Sequence, residues 1–165
     1  MIKNLKVDNV DCLHGTIVTV NNFQDYKNVY EVFMKEPFNE NWDNQGLKEQ
    51  FDYLKDNGEI IGFNRDHKII GLLSILDGSI CNHPFETDKT LYLPSIAIKE
   101  EYRGKGYARD LLNYFMYYFE NQDYYNEVYY QERLSNPIIN HLMTSYDFQV
   151  KENNVDKRKF LSKKR

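Results

Sequence analysis

Along some stretches of the chain apolar and polar residues alternate, and along others the apolar ones recur every three or four residues; the changes of rhythm mark the elements. GTIVTV, residues 15–20, is rich in β-formers, while Tyr26, Val29, Tyr30 and Phe33 keep helical spacing up to the break at Pro37. Leu47, Phe51 and Leu54 predict a second helix. It should end near Asn57-Gly58, a pair suited to closing a helix with a left-handed residue. EIIGF and KIIGLLSIL flank Asn64-Arg65-Asp66-His67, which reads as a hairpin turn between two strands.

A loop of turn formers, residues 77–90, leads to the strand LYLPSIAI, residues 91–98. Pro94 cannot donate to a ladder, so it belongs at a bulge, an edge or a place where pairing stops. Ala108, Leu111, Leu112, Phe115 and Phe119 line one helical face, and NEVYYQ supplies the next strand. Ser135-Asn136-Pro137 looks like a helix start, a polar cap followed by proline, continued by Ile139, Leu142, Met143 and Tyr146. FQVKE and RKFLS, joined at Asn153-Asn154, close the chain as two short strands. The pattern gives about seven strands and about four helices, an α+β protein.

Composition narrows the function classes. The chain has 165 residues, 41% of them hydrophobic, with no linker or repeat, so one domain over 1–165 is expected. The net charge of −4 gives a nucleic-acid partner no general support. Cys12 and Cys81 have no metal-like spacing, so neither a metal site nor a disulfide scaffold is expected. The N-terminus lacks a signal-peptide pattern, and no apolar run approaches the roughly 20 residues of a membrane span; a cytoplasmic protein without a membrane partner is expected.

The stretch YRGKGYARDLL, residues 102–112, carries the chemistry. It follows a strand and opens a helix, and it sets two glycines and three cations, Arg103, Lys105 and Arg109, around that helix start. The first turn of a helix leaves N–H groups unpartnered and carries about half a positive charge, which makes it an anion site. Gly104 and Gly106 have no side chain to obstruct a phosphate. The same residues would also suit a glycine-rich turn that binds nothing. The spacing fits neither a Walker loop nor a dinucleotide fingerprint.

Arg103-Gly104-Lys105-Gly106-Tyr107-Ala108 resembles the (Q/R)xxGx(G/A) loop of the GCN5-related N-acetyltransferases (GNAT), and SNPIINHLMTSYDF resembles that family's later segment. The resemblance covers nearly the whole chain. It implies a single-domain mixed β-sheet flanked by helices, acetyl-CoA (coenzyme A) as the acyl donor, and direct attack of an amine on the thioester. Residues 103–108, that is Arg103, Gly104, Lys105, Gly106, Tyr107 and Ala108, would take the pyrophosphate. The backbone of Ile96, Ala97 and Ile98 would take the pantetheine arm, and Asn136 would either touch the cofactor or merely cap its helix. The partner would be a small-molecule or peptide amine, and the protein a monomer or homodimer.

Two departures from the family bear on catalysis. Met143 stands where the later segment usually has the tyrosine presumed to protonate the coenzyme A thiolate. The strand over 91–98 also has no carboxylate to act as base, so Tyr92 and Ser95 are the polar candidates there. His83 and Glu86 lie in the preceding loop and read as surface residues. Tyr146, three residues past Met143, is a substitute acid or a packing residue. These departures admit an alternative, a noncatalytic acyl-CoA-binding module of the same fold.

Other features suit structure better than binding. The tyrosines of YFMYYFENQDYYNEVYY fit a helix face and a strand in the core, and the tail KRKFLSKKR fits a terminal strand with charged edges. The acidic residues Glu36, Glu40, Asp43, Glu49, Asp52, Asp56 and Glu59 read mostly as a solvated helix face, though two of them in an acceptor pocket would favour a cationic amine.

Overall fold

The computed structural model describes residues 2, 5, 10–30, 43–132, 137–153 and 159–165. Within them run β1 (Val10–Asp11), β2 (Thr16–Thr19), α1 (Phe23–Tyr30), α2 (Asn44–Asn57), β3 (Gly58–Arg65), β4 (Lys68–Asp77), β5 (Thr90–Ile98), α3 (Tyr107–Asn121), β6 (Glu127–Gln131), α4 (Pro137–Thr144), β7 (Gln149–Asn153) and β8 (Lys159–Lys164). The eight strands form one mixed sheet in the order β1-β2-β3-β4-β5-β6-β8-β7. The seven expected strands and four helices are all present, and β1 is the addition; two residues are too few to carry a period.

The helices cover both faces. One core cluster joins Leu111, Leu112, Phe115 and Phe119 of α3 to Ile61, Phe63, Leu73, Ile75 and Ile98 of the sheet, with Met143 of α4. The other joins Tyr26 and Val29 of α1 and Leu47, Phe51 and Leu54 of α2 to Ile60, Leu72, Leu76, Tyr92, Ala97, Tyr129 and Phe160. Alternation along β3 and β4 sends successive apolar residues to opposite layers, which is why those segments read as unbroken hydrophobic runs.

Local chemistry sets the element ends. Asp43 caps α2 by accepting from the Gly46 N–H at 2.7 Å. The left-handed closure expected at Gly58 does not occur: its φ is −156°, and the chain passes straight into β3. The glycine serves close approach instead, because a Cβ there would stand 2.0 Å from the Ile75 carbonyl oxygen. The turn between β3 and β4 has φ of 53° at Asp66 and 65° at His67, the consecutive positive angles of a two-residue hairpin loop.

The tyrosine-rich span packs as expected, with Tyr125, Tyr129 and Tyr130 buried, although Tyr117 is 70% exposed. The tail differs from expectation in one respect: β8 lies between β6 and β7 and is paired on both sides, so β7 forms the edge of the sheet. Residues 31–37, the cap residues Ser135 and Asn136, and the turn at Asn154 lie outside the described residues.

Candidate active site

β5 and β6 form the one parallel pair of the described sheet, and their pairing is short. It runs from Thr90↔Glu127 to Tyr92↔Tyr129 and stops. There β5 takes three steps, Tyr92 to Ser95, while β4 takes two, Leu76 to Ser74; the extra residue makes a bulge that contains Leu93 and Pro94. The proline therefore sits at a bulge and where pairing ends, as its missing N–H requires.

Past the bulge, β5 pairs with β4 alone among the described residues. The Lys99 N–H donates to the Ile70 carbonyl at 2.8 Å, which fixes the antiparallel alternation. Ala97 consequently turns its N–H toward β4, and Ile96 and Ile98 turn theirs to the opposite edge, where β6 has parted from β5. On β6 beside this opening, the hydroxyl of Tyr130 is buried and has no hydrogen-bond partner among the described residues. Burial raises that hydroxyl above the ordinary phenol range, and Glu132 adds to the effect, so it stays protonated.

The opening runs toward the start of α3. The Arg103 Nε–H donates to the Ile98 carbonyl at 2.9 Å and ties the glycine loop to the end of β5. Gly104 and Gly106 have φ of 77° and 86°, the left-handed region that favours glycine. Gly106 is the N-cap of α3 and supplies no side-chain oxygen to the first-turn N–H groups. A Cβ added at Gly104 would have no neighbour within 4 Å. Arg103, Lys105 and Arg109 are exposed around this cradle, and Tyr107 is buried beneath it against Phe63, ring centroids 5.0 Å apart.

A contact invisible in the sequence flanks the cradle. His14, in the turn between β1 and β2, meets the Asp110 carboxylate in the first turn of α3 at 2.8 Å. Arg65 donates to the His14 carbonyl at 2.6 Å, and its guanidinium lies 5.4 Å from the centre of the Tyr107 ring. The sheet edge and the helix start are thereby tied together by residues far apart in the chain.

The bulge also decides which candidate groups meet. It puts Tyr92 and Ser95 on the same face of β5, the one covered by α1 and α2. Tyr92 stacks on Tyr129 at 4.9 Å, and the Ser95 hydroxyl donates to Ser74, a fully buried hydroxyl, at 2.9 Å. Tyr146 packs against the other core, and its hydroxyl donates to Asn113 on α3. Burial raises the Tyr146 hydroxyl above the ordinary phenol value despite the Arg109 guanidinium, which pulls it down. Met143 is buried. Asn136 lies outside the described residues.

Of the two loop residues, Glu86 is at the surface, its carboxylate accepting from the Asp88 N–H. His83 is not. It is half-buried, with Nδ1 2.7 Å from the Tyr129 hydroxyl and its ring 4.8 Å from Tyr92 and 5.0 Å from Phe160. Beside this group an open cavity of about 890 Å³ is lined by Phe85, Glu127 and Lys151 among others. Glu127 and Lys151 form an ion pair there, with side chains 10% and 13% exposed.

The arrangement is a slot between two strands that starts at a tyrosine pair and ends on an anion cradle. The model of the acetyltransferase (GNAT) family matches residues 25–148. The chain belongs to that family. Among solved structures it is similar to the ribosomal-protein-alanine N-acetyltransferase of Brucella melitensis, with a TM-score of 0.69 and 16% identity over 90% of this chain and 99% of the other. It is also similar to a GNAT family acetyltransferase of Elizabethkingia anophelis solved with acetyl-CoA bound, at TM-score 0.55 and 18% identity over 72% and 83% of the two chains. A third likeness is to the PaiA N-acetyltransferase of Thermoplasma acidophilum in complex with coenzyme A, at TM-score 0.59 and 17% identity over 87% of each. No curated protein matches the sequence. At these identities the structures speak for the fold, a GNAT fold of eight strands and four helices, and the family model for membership.

Proposed function

We propose that this GNAT domain is an acetyl-CoA-dependent N-acetyltransferase acting on the primary amine of a small molecule or peptide. The observation that carries the reading is the slot itself: β5 leaves β6 after Tyr92, and the freed edge leads to a helix start stripped of side chains at Gly104 and Gly106. The residues fit the donor. The N–H groups of residues 104–108 suit a pyrophosphate, with Arg103 and Lys105 beside them, and the outward amides of Ile96 and Ile98 suit the amides of a pantetheine arm. The unpartnered hydroxyl of Tyr130 supports the fit, since a buried donor without a partner is costly unless a ligand completes it. When bound, acetyl-CoA supplies an activated acetyl thioester; the chain's task is to hold it, exclude water and manage the amine's proton.

An alkyl ammonium with a pKa near 10.4 must lose a proton before it attacks, and a base beside β5 has to receive it. Tyr92 and Ser95 stand on the right face to order water there. The departing thiolate, with a thiol pKa of about 8.5, needs no acid to leave, which suits Met143 in place of the usual tyrosine. That methionine equally favours a second reading, a module that binds acyl-CoA without turnover.

Titration with acetyl-CoA and release of free thiol in the presence of an amine panel test both readings. Wild-type protein is expected to bind and to release thiol with at least one amine, and Gly106→Asp to weaken binding tenfold or more, about 1.4 kcal/mol. Binding without thiol release from any amine selects the module. Unchanged affinity in Gly104→Asp and Gly106→Asp would remove the cofactor site from this loop. Tyr146→Phe is expected to turn over nearly as fast as wild type; a hundredfold loss, about the low end of a general-acid contribution, would make Tyr146 the acid.

A further inference from the structure

We infer that His83 is the general base of the transfer and that Tyr129 holds it in the required tautomer; the inference rests on the acetyltransferase reading above. His83 stands where β5 and β6 part. Its ring contacts Tyr92 and Tyr129, the last cross-strand pair before the slot, on the face that also carries Ser95.

One hydrogen bond sets the tautomer that the base needs. For Nε2 to take a proton, Nδ1 must carry the ring's own, and the Tyr129 oxygen, 2.7 Å from Nδ1, is placed to accept it. The proton of the neutral imidazole is then on Nδ1, and Nε2 is the ring's acceptor. This is the orienting role that a third group plays for a catalytic histidine. Burial, with the Cys81 thiol adding to it, raises the Tyr129 hydroxyl above the ordinary phenol range, so the hydroxyl stays intact as a relay.

The proton of the acceptor nitrogen passes to Nε2 as the nitrogen's electron pair bonds to the thioester carbonyl carbon. The C–S electron pair leaves with sulfur, and the proton on Nε2 returns to the thiolate or to solvent. Among the described residues, the rings against His83 are Phe85 from its own loop, Tyr92 from β5, Tyr129 from β6 and Phe160 from β8. Lys151 of β7 lies over the Phe85 and Tyr129 rings and is matched by Glu127. Tyr26 and Tyr30 of α1 belong to the same cluster.

Three variants and three kinds of measurement test the inference, with spermidine, glucosamine and an alanyl-terminated tetrapeptide as acceptors. His83→Asn keeps a donor at the place of Nδ1 but cannot take a proton; its kcat should fall about a hundredfold or more while acetyl-CoA affinity by titration stays at the wild-type value. The acid limb of kcat/KM between about pH 5 and 8 should vanish with it. His83→Ala should regain turnover with added imidazole. In the free protein, the side-chain nitrogen spectrum should place the His83 proton on Nδ1, and Tyr129→Phe, which keeps the ring, should move it toward Nε2. A proton on Nε2 in the wild type, or a His83→Asn rate within about threefold of wild type with the acid limb intact, overturns the base alone. A wild-type protein that binds no acetyl-CoA overturns the acetyltransferase reading and the base with it.

Discussion

The imidazole of His14 meets the carboxylate of Asp110 at 2.8 Å across 96 positions of sequence. Asp110 sits in the first turn of α3, where a carboxylate suits the helix dipole but opposes a bound phosphate. With His14 removed, that carboxylate would lose its hydrogen-bond partner beside the glycine cradle. His14→Ala is expected to weaken acetyl-CoA binding about three- to tenfold at low salt, and His14→Ala/Asp110→Asn to restore it. Calorimetric titration of the four proteins closes the cycle, and additive effects would mean that the pair has no influence on the site.

Asp147 ends the segment after α4 with φ of 66°, a conformation that costs most side chains about 1–2 kcal/mol and asparagine or aspartate rather less. Asp147→Gly should therefore raise stability by up to about 1 kcal/mol, or about 2–4 °C in Tm for a domain of this size. A lower Tm would show that the Asp147 side chain contributes more than its backbone strain.

Tyr130→Phe removes a buried hydroxyl that has no partner among the described residues. Deleting an unsatisfied donor should leave the free protein as stable as wild type or slightly more so, within about 1 kcal/mol. Acetyl-CoA should then stabilise the variant less than it stabilises wild type, if the phenol meets the bound donor in the slot. Thermal melts with and without saturating acetyl-CoA measure both effects, and an equal ligand-induced shift in the two proteins would exclude the phenol from the site.

Asp77 gives a pH signature. Burial tends to raise its pKa, but hydrogen bonds from the Ser79 side chain and N–H and from the Tyr125 hydroxyl, the last at 3.0 Å, hold it below the ordinary carboxylate value. A carboxylate depressed by folding contributes stability that is complete above its unfolded pKa, about 3.9, and disappears as pH falls through the folded value. The Tm advantage of wild type over Asp77→Asn should be constant from pH 7 to about 5 and shrink toward pH 2. A difference that grows on acidification would reverse the sign and exclude this carboxylate as the cause.

What was legible in the sequence was local. Leu47, Phe51 and Leu54 announce a helix because its period is set by nearest turns, and Pro94 announces a break in pairing because the missing N–H is a property of one residue. Gly58 was misread: the sequence shows a glycine, but whether it serves a left-handed angle or the approach of Ile75 depends on a strand 17 positions on. The cradle of Gly104 and Gly106 was legible for the same reason as Pro94. The groups most suggestive of chemistry were not. His83 looks like any loop histidine until β6 brings Tyr129 beneath it from 46 positions away. The pairing of Ser95 with Ser74 depends on a bulge that no periodicity reveals.

The three residue pairs between β5 and β6 have a mechanical consequence. They are the ladder that joins an antiparallel block of β1 to β5 to a second block of β6, β8 and β7. A sheet joined so narrowly behaves as two stiff plates sharing a short seam, with α3 as the strap between them. An occupant of the slot would lengthen that seam, hydrogen-bonding to one plate and packing on the other. The donor substrate would then also serve as a missing strand, so that the domain is at its most rigid while the acetyl group is in place and loosens when the thiol departs.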